Sequence, residues 1–135
     1  MKPRILVVDD NPINLKLAGD VLECEGYEVD RAEDAEEALT SIRKKQPALI
    51  LMDVALPGMD GYTLTKILKA DEATKNIIVV ALTAFAMKGD DQKAYASGCD
   101  GYIPKPIDTR NLVNEVSQHL EHLKTEPLTG ANGRL

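Results

Sequence analysis

The sequence predicts a single doubly wound α/β domain, a five-stranded parallel sheet with helices on both faces. Three observations carry this. Short apolar runs alternate with amphipathic stretches, strand then helix, five times over, the pattern of parallel strands joined by helical crossovers. Three of the runs, Ile5 to Val8, Leu49 to Met52 and Ile77 to Leu82, contain no polar residue, as strands buried on both faces require. A length of 135 residues with 44% hydrophobic and 28% charged side chains fits one ordinary globular unit.

The first strand, Ile5 to Val8, runs into Asp9, Asp10 and Asn11. Asn11 caps a helix whose first position is Pro12, a favoured pairing because proline lacks only an N–H that would be unsatisfied there. Leu17, Ala18, Val21 and Leu22 give that helix an apolar face, and Gly26 stops it. Tyr27 to Asp30 alternates apolar and acidic residues, which suits an edge strand with one wet face. Asp34 and Glu37 form a capping box for a helix with Ala35, Ala38, Leu39 and Ile42 inward, closed by Pro47. The third strand, Leu49 to Asp53, delivers a carboxylate at its end, followed by a loop punctuated by Pro57, Gly58 and Gly61.

Asp60 or Gly61 opens the third helix, with Leu64, Ile67 and Leu68 inward. The fourth strand, Ile77 to Leu82, ends at Thr83. The next helix, from about Met87 to Ser97, has almost no large apolar residue besides Tyr95, and Gly98 ends it. Tyr102 and Ile103 form a short fifth strand leading to Pro104, Lys105 and Pro106. Asp108 or Thr109 caps the last helix, where Leu112, Val113, Val116, Leu120 and Leu123 make an apolar stripe.

Right-handed crossovers leave few topologies for this alternation. The half-polar second strand belongs at an edge and the first, third and fourth belong in the middle, which a flavodoxin-like (βα)5 order of 2-1-3-4-5 satisfies. The domain is expected over residues 1–123, with 124–135 as a flexible tail lacking any apolar period. A net charge of −6 argues against binding nucleic acid or an anionic membrane surface. No apolar run approaches membrane-spanning length, and no signal peptide is expected. Cys24 and Cys99, far apart in sequence, read as reduced, partly buried thiols of a cytoplasmic protein.

In this topology the first, third, fourth and fifth strands end at one rim and deliver Asp9, Asp10, Asp53, Thr83 and Lys105. Crowded carboxylates repel, and take up protons unless a cation is present. Oxygen-only donors without a nearby His or Cys point to magnesium rather than zinc, held by Asp53 and by Asp9 or Asp10, with the backbone carbonyl of Ala55 beside them. A carboxylate can take a phosphoryl group as a nucleophile, and a cation and a lysine can neutralise the phosphoryl oxygens. Lys105 is placed for that, and Thr83 can donate a hydrogen bond to the incoming group. Singly, each residue has a plainer role: a strand-end cap, a solvated lysine, acids facing a helix dipole. Their convergence on one rim favours the site.

From Arg4 to about Leu123 the sequence resembles the receiver domain of two-component response regulators, above all the single-domain and phosphorelay types. The matching pieces are VVDDN at 7–11, LILMD at 49–53, LPGMDG at 56–61, ALTAFA at 81–86 and YIPKP at 102–106. The resemblance implies that Asp53 is the phospho-acceptor and that Asp9, Asp10 and the Ala55 carbonyl serve Mg2+. It makes Thr83 and Tyr102 a switch pair and Lys105 the phosphate-binding lysine, with a cis Lys105–Pro106 bond. It implies a histidine kinase or histidine phosphotransfer protein as phosphoryl donor and a downstream protein effector. It implies no turnover enzyme, only promotion of the domain's own magnesium-dependent phosphorylation and dephosphorylation. The helix near 87–97, the fifth strand and the last helix form the face expected to change.

Other classes fit less well. An aspartyl-phosphate phosphohydrolase needs a second acid two residues after its nucleophile, where this chain has Ala55. A flavin module wants a glycine- and hydroxyl-rich phosphate loop where Asp9 and Asp10 stand. A scaffold without phosphorylation leaves the full set of site residues unexplained. A receiver cut from a larger hybrid protein remains an alternative to a stand-alone one. His119 and His122 read as a solvated helix face, and Asp90 with Asp91 as a helix-start charge pair.

Overall fold

The computed structural model describes residues 3–83 and 95–130, with side chains described as far as Glu121. Five parallel strands, β1 (Arg4–Val8), β2 (Glu28–Ala32), β3 (Leu49–Asp53), β4 (Ile78–Thr83) and β5 (Gly101–Pro104), form one sheet in the order β2-β1-β3-β4-β5. Four helices are described, α1 (Pro12–Cys24), α2 (Ala35–Lys44), α3 (Gly61–Ala70) and α4 (Thr109–Gly130). The expected helix near 87–97 falls mostly outside the described residues, as does the pair Asp90 and Asp91; Tyr95 and Ala96 are helical.

Alternation along the strands splits the core into two layers. Leu6, Val8, Ile50, Met52, Val79 and Ala81 face α2 and α3, while Ile5, Val7, Leu49, Leu51, Val80 and Leu82 face α1 and α4. A strand apolar at every position is thus used on both faces, as the sequence required. The start signals act as expected. Asn11 Oδ1 accepts from Ile13 N–H at 2.9 Å, Asp34 Oδ1 from Glu37 N–H at 2.8 Å, Asp60 Oδ1 from Thr63 N–H at 2.8 Å, and Asp108 Oδ1 from Arg110 N–H at 3.0 Å. Glu37 reaches back to Glu33 N–H at 2.8 Å, one residue earlier than a standard capping box.

Several expectations need correction. α1 buries Leu15, Ala18, Gly19 and Leu22, while Leu17 is exposed and Val21 only half-buried. α3 buries Gly61, Leu64, Thr65 and Leu68, and Ile67 is exposed. On α4, Val113 is half-buried beside the buried Leu112, Val116 and Leu120. β2 spans Glu28–Ala32, starting one residue and ending two residues later than expected, and its Ala32 carbonyl accepts from Asp9 N–H at 3.1 Å. Cys24 is exposed and Cys99 buried, both as free thiols. The His119 ring is not on a solvated face: it packs over Gly101, where a Cβ would overlap its Nε2. α4 runs on to Gly130, past Lys124 where the apolar stripe fades; backbone hydrogen bonding does not need that stripe. No described helix is long and apolar enough to cross a membrane.

Candidate functional site

Parallel strands all end on the same side, so the ends of β1, β3, β4 and β5 share one rim. Asp9 follows β1, Asp53 ends β3 and Thr83 ends β4; all three are buried, Asp9 at 0% and Asp53 at 2% exposure. Asp10, by contrast, is exposed. Each buried carboxylate is anchored in the same way. Asp9 Oδ1 accepts from Asn11 N–H at 2.9 Å and Asp53 Oδ1 from Ala55 N–H at 3.0 Å, short Asx-type turns that fix the side chains and leave each second oxygen facing the rim.

Lys105 lies between those oxygens. Its Nζ is 3.1 Å from Asp9 Oδ2 and 3.3 Å from Asp53 Oδ2. Lys105 N–H donates to the Thr83 carbonyl at 2.7 Å, and the Lys105–Pro106 bond is cis, as the resemblance implied. Burial pushes the Asp53 carboxyl above the ordinary carboxylate range; the Asp9 charge adds to this, while the Ala55 N–H and Lys105 pull the other way. By charge, one ammonium here faces two buried carboxylates.

The donor set fits a hard divalent cation. Oxygens of Asp9, Asp10 and Asp53 lie within 4.8 Å of one another. Asp9 Oδ2 is buried and makes no hydrogen bond, although Lys105 is within ion-pair distance. A buried carboxylate oxygen without a donor is costly, and a cation would relieve it.

The structure brings Asp9, Asp53 and Lys105 into contact, with Asp10 and Thr83 on the same rim. Tyr102 is half-buried one strand away. Its register partner is Ala81, and Thr83 pairs with Pro104, so alternation puts Tyr102 and Thr83 on one sheet face. Sequence reasoning placed Gly61 in the loop and at a helix start but missed its role against the Asp53 backbone. A Cβ there would overlap the Asp53 carbonyl oxygen and crowd Val54, and Gly61 N–H donates to the Val54 carbonyl at 3.1 Å. Glycine at the first position of α3 lets that helix end pack directly on the backbone that carries Asp53. The signal was a glycine just after a helix cap, close to a candidate nucleophile.

Fold and rim together define a class: a flavodoxin-like α/β signalling domain with an acidic, lysine-countered site at the carboxyl ends of its strands. The chain belongs to the response regulator receiver domain family, which residues 5–117 match. It is 42% identical over 120 residues to the polar-differentiation response regulator DivK of Brucella ovis, covering 89% of this chain and 98% of that one. Among solved structures it is similar to a CheY-like receiver domain protein of Methanospirillum hungatei, with 32% identity, a TM-score of 0.84 and coverage of 93% and 99% of the two chains. It is also similar to the receiver domain of a signal transduction histidine kinase from Syntrophus aciditrophicus, with 31% identity, a TM-score of 0.82 and coverage of 90% and 92%. Aspartate phosphorylation and magnesium are general features of the family, whose members are signalling proteins rather than classical enzymes and work with histidine kinases or phosphotransfer proteins.

Proposed function

We propose that Asp53 is the phospho-acceptor, taking a phosphoryl group from a phosphohistidine on a kinase or phosphotransfer protein. The observation that carries this is the placement of a buried carboxylate, its Oδ2 turned toward Lys105, at the end of the central strand. An Asp53 oxygen attacks phosphorus, the P–N bond breaks and the donor imidazole leaves with the electron pair, taking up a proton. Lys105 holds the phosphoryl oxygens, and the Thr83 hydroxyl donates to one of them. Asp9, Asp10, Asp53 and the Ala55 carbonyl hold Mg2+, which when bound neutralises charge on the transferred group. The same residues promote hydrolysis of the acyl phosphate, without turnover of any separate substrate.

By analogy with phosphorylated hydroxyls, the phosphoryl group carries about −1.5 to −2 charges, in place of the single carboxylate charge, drawing Thr83 inward and letting Tyr102 turn into the vacated space, so that the surface around β5 changes for a downstream protein. The folded unit is residues 1–123, with 124–135, whose backbone continues α4 to Gly130, as a tail beyond the packed core. It acts in the cytoplasm, consistent with its free thiols, and its −6 charge speaks against nucleic acid or membrane partners. The test is intact mass after incubation with a small phosphoryl donor. One phosphoryl adduct that needs magnesium and is absent in Asp53→Asn is expected; no adduct under any condition would leave only a scaffold.

A further inference from the structure

Tyr95 sits at the end of the helical segment before β5, 52% exposed. Its ring meets that of Tyr102 edge to face, with centroids 6.4 Å apart and planes at 86°, a favoured aromatic geometry. The backbone between the two rings is tied down. Gly98, at φ +106°, donates its N–H to the Tyr95 carbonyl at 3.0 Å. Asp100 N–H donates to the Val79 carbonyl at 2.7 Å, and Asp100 Oδ2 accepts from Val79 N–H at 2.9 Å and from Lys69 Nζ at 3.0 Å. Cys99 is buried between them. Tyr102 is held to β4 by strand pairing and Asp100 to β4 and α3, so on the Tyr102 side the two rings change their relation chiefly by side-chain rotation.

We propose that Tyr95 is a latch on Tyr102: ring-to-ring contact holds Tyr102 away from Thr83 in the unphosphorylated domain and breaks when the domain switches. This rests on the reading of Thr83 and Tyr102 as the switch pair. Thr83 lies toward the rim from Ala81, the register partner of Tyr102. In this proposal, a Tyr102 ring turning along that face toward Thr83 gives up its contact with Tyr95. A contact made only in the unswitched state weakens whatever favours the switched state by the same factor. The break also uncovers the Tyr95 ring, so the latch residue itself becomes part of the altered surface. Tyr95 acts through Tyr102 and is a positioning residue, not a catalytic one.

The test titrates wild type, Tyr95→Ala and Tyr95→Phe with beryllofluoride, a phosphoryl mimic, at fixed magnesium, while NMR follows the Tyr102 ring resonances. Tyr95→Ala is expected to bind the mimic about two- to tenfold more tightly, the range of an edge-to-face pair, and Tyr95→Phe to match wild type. A merely structural role would weaken binding in Tyr95→Ala; equal or weaker binding overturns the latch. Wild-type binding with an unmoved Tyr102 ring overturns the latch and the switch role while leaving the phospho-acceptor reading intact. Failure of wild type to bind the mimic overturns that reading and the latch with it.

Discussion

Two lysine–aspartate pairs stand at opposite ends of the sheet, and they are built differently. At the amino ends of the strands, Lys69 Nζ contacts the Ile77 carbonyl at 2.7 Å, the Lys75 carbonyl at 3.3 Å and Asp100 Oδ2 at 3.0 Å. Three donors meet three acceptors, and one positive charge meets one negative. At the carboxyl ends, one Lys105 faces two buried carboxylates, with the exposed Asp10 nearby and Asp9 Oδ2 left without a hydrogen bond. The same residue types make a staple where charge and hydrogen bonds balance, and an incomplete cation site where they do not. The imbalance is what marks the functional end.

The comparison breaks first at Lys105. Lys105→Met leaves two buried carboxylates facing each other and is expected to cost about 3–5 kcal/mol in urea unfolding without divalent ions. A loss as small as that of an exposed lysine would mean the rim is already balanced. Gly61→Ala forces the Asp53 backbone to move and is expected to slow phosphorylation by a small donor about 100-fold. Ile42→Ala, a core change on α2 far from the rim, provides the control for lost stability and should leave the rate near wild type. Lys69→Met removes the balanced staple, with an expected cost of about 1–3 kcal/mol and no change in phosphorylation rate; a large rate loss would mean that the two ends are not separable.

The smallest effect is a gain. The folded-state pKa of Asp53 is raised, chiefly by burial, so the folded protein binds this proton more tightly than the unfolded chain does. The ionised form is therefore disfavoured by folding, and this group's contribution to stability falls as pH rises from the ordinary carboxylate range through the raised value. Asp53→Asn should be slightly more stable than wild type at neutral pH without divalent ions, and the difference should vanish in acid. Urea midpoints at several pH values check this; a less stable variant at neutral pH would contradict it.

Strand order and the rim were legible because both follow from apolar runs and from what ends them. The helix faces were less so, for one shared reason. α1 buries residues 15, 18, 19 and 22, and α3 buries 61, 64, 65 and 68, the same i, i+3, i+4, i+7 stripe. One of these positions in α1 and two in α3 carry no apolar side chain. Gly19 is buried because the Arg31 side chain lies across it, where a Cβ would collide. Thr65 is buried because its hydroxyl donates to the Gly61 carbonyl at 2.8 Å. A reading that counts only apolar residues rotates both helices toward Leu17 and Ile67. The packing role of Gly61 was not legible for a related reason: it rests on the side chain that residue lacks. The double contact of Lys105 with Asp9 and Asp53 depends on how far a long side chain reaches between strand ends, which no spacing in the sequence encodes.

The central claim is that the three carboxylates and single lysine that the described residues bring to the rim call for a divalent cation. Thermal unfolding with and without magnesium tests it most directly, on wild type, Asp9→Asn and Asp53→Asn. Near 100 times the dissociation constant, binding to the folded state alone should add about 2.7 kcal/mol, a rise of roughly 10 °C for a domain of this size, and each variant should lose most of it. An unchanged wild-type midpoint, or equal shifts in all three proteins, would contradict the account.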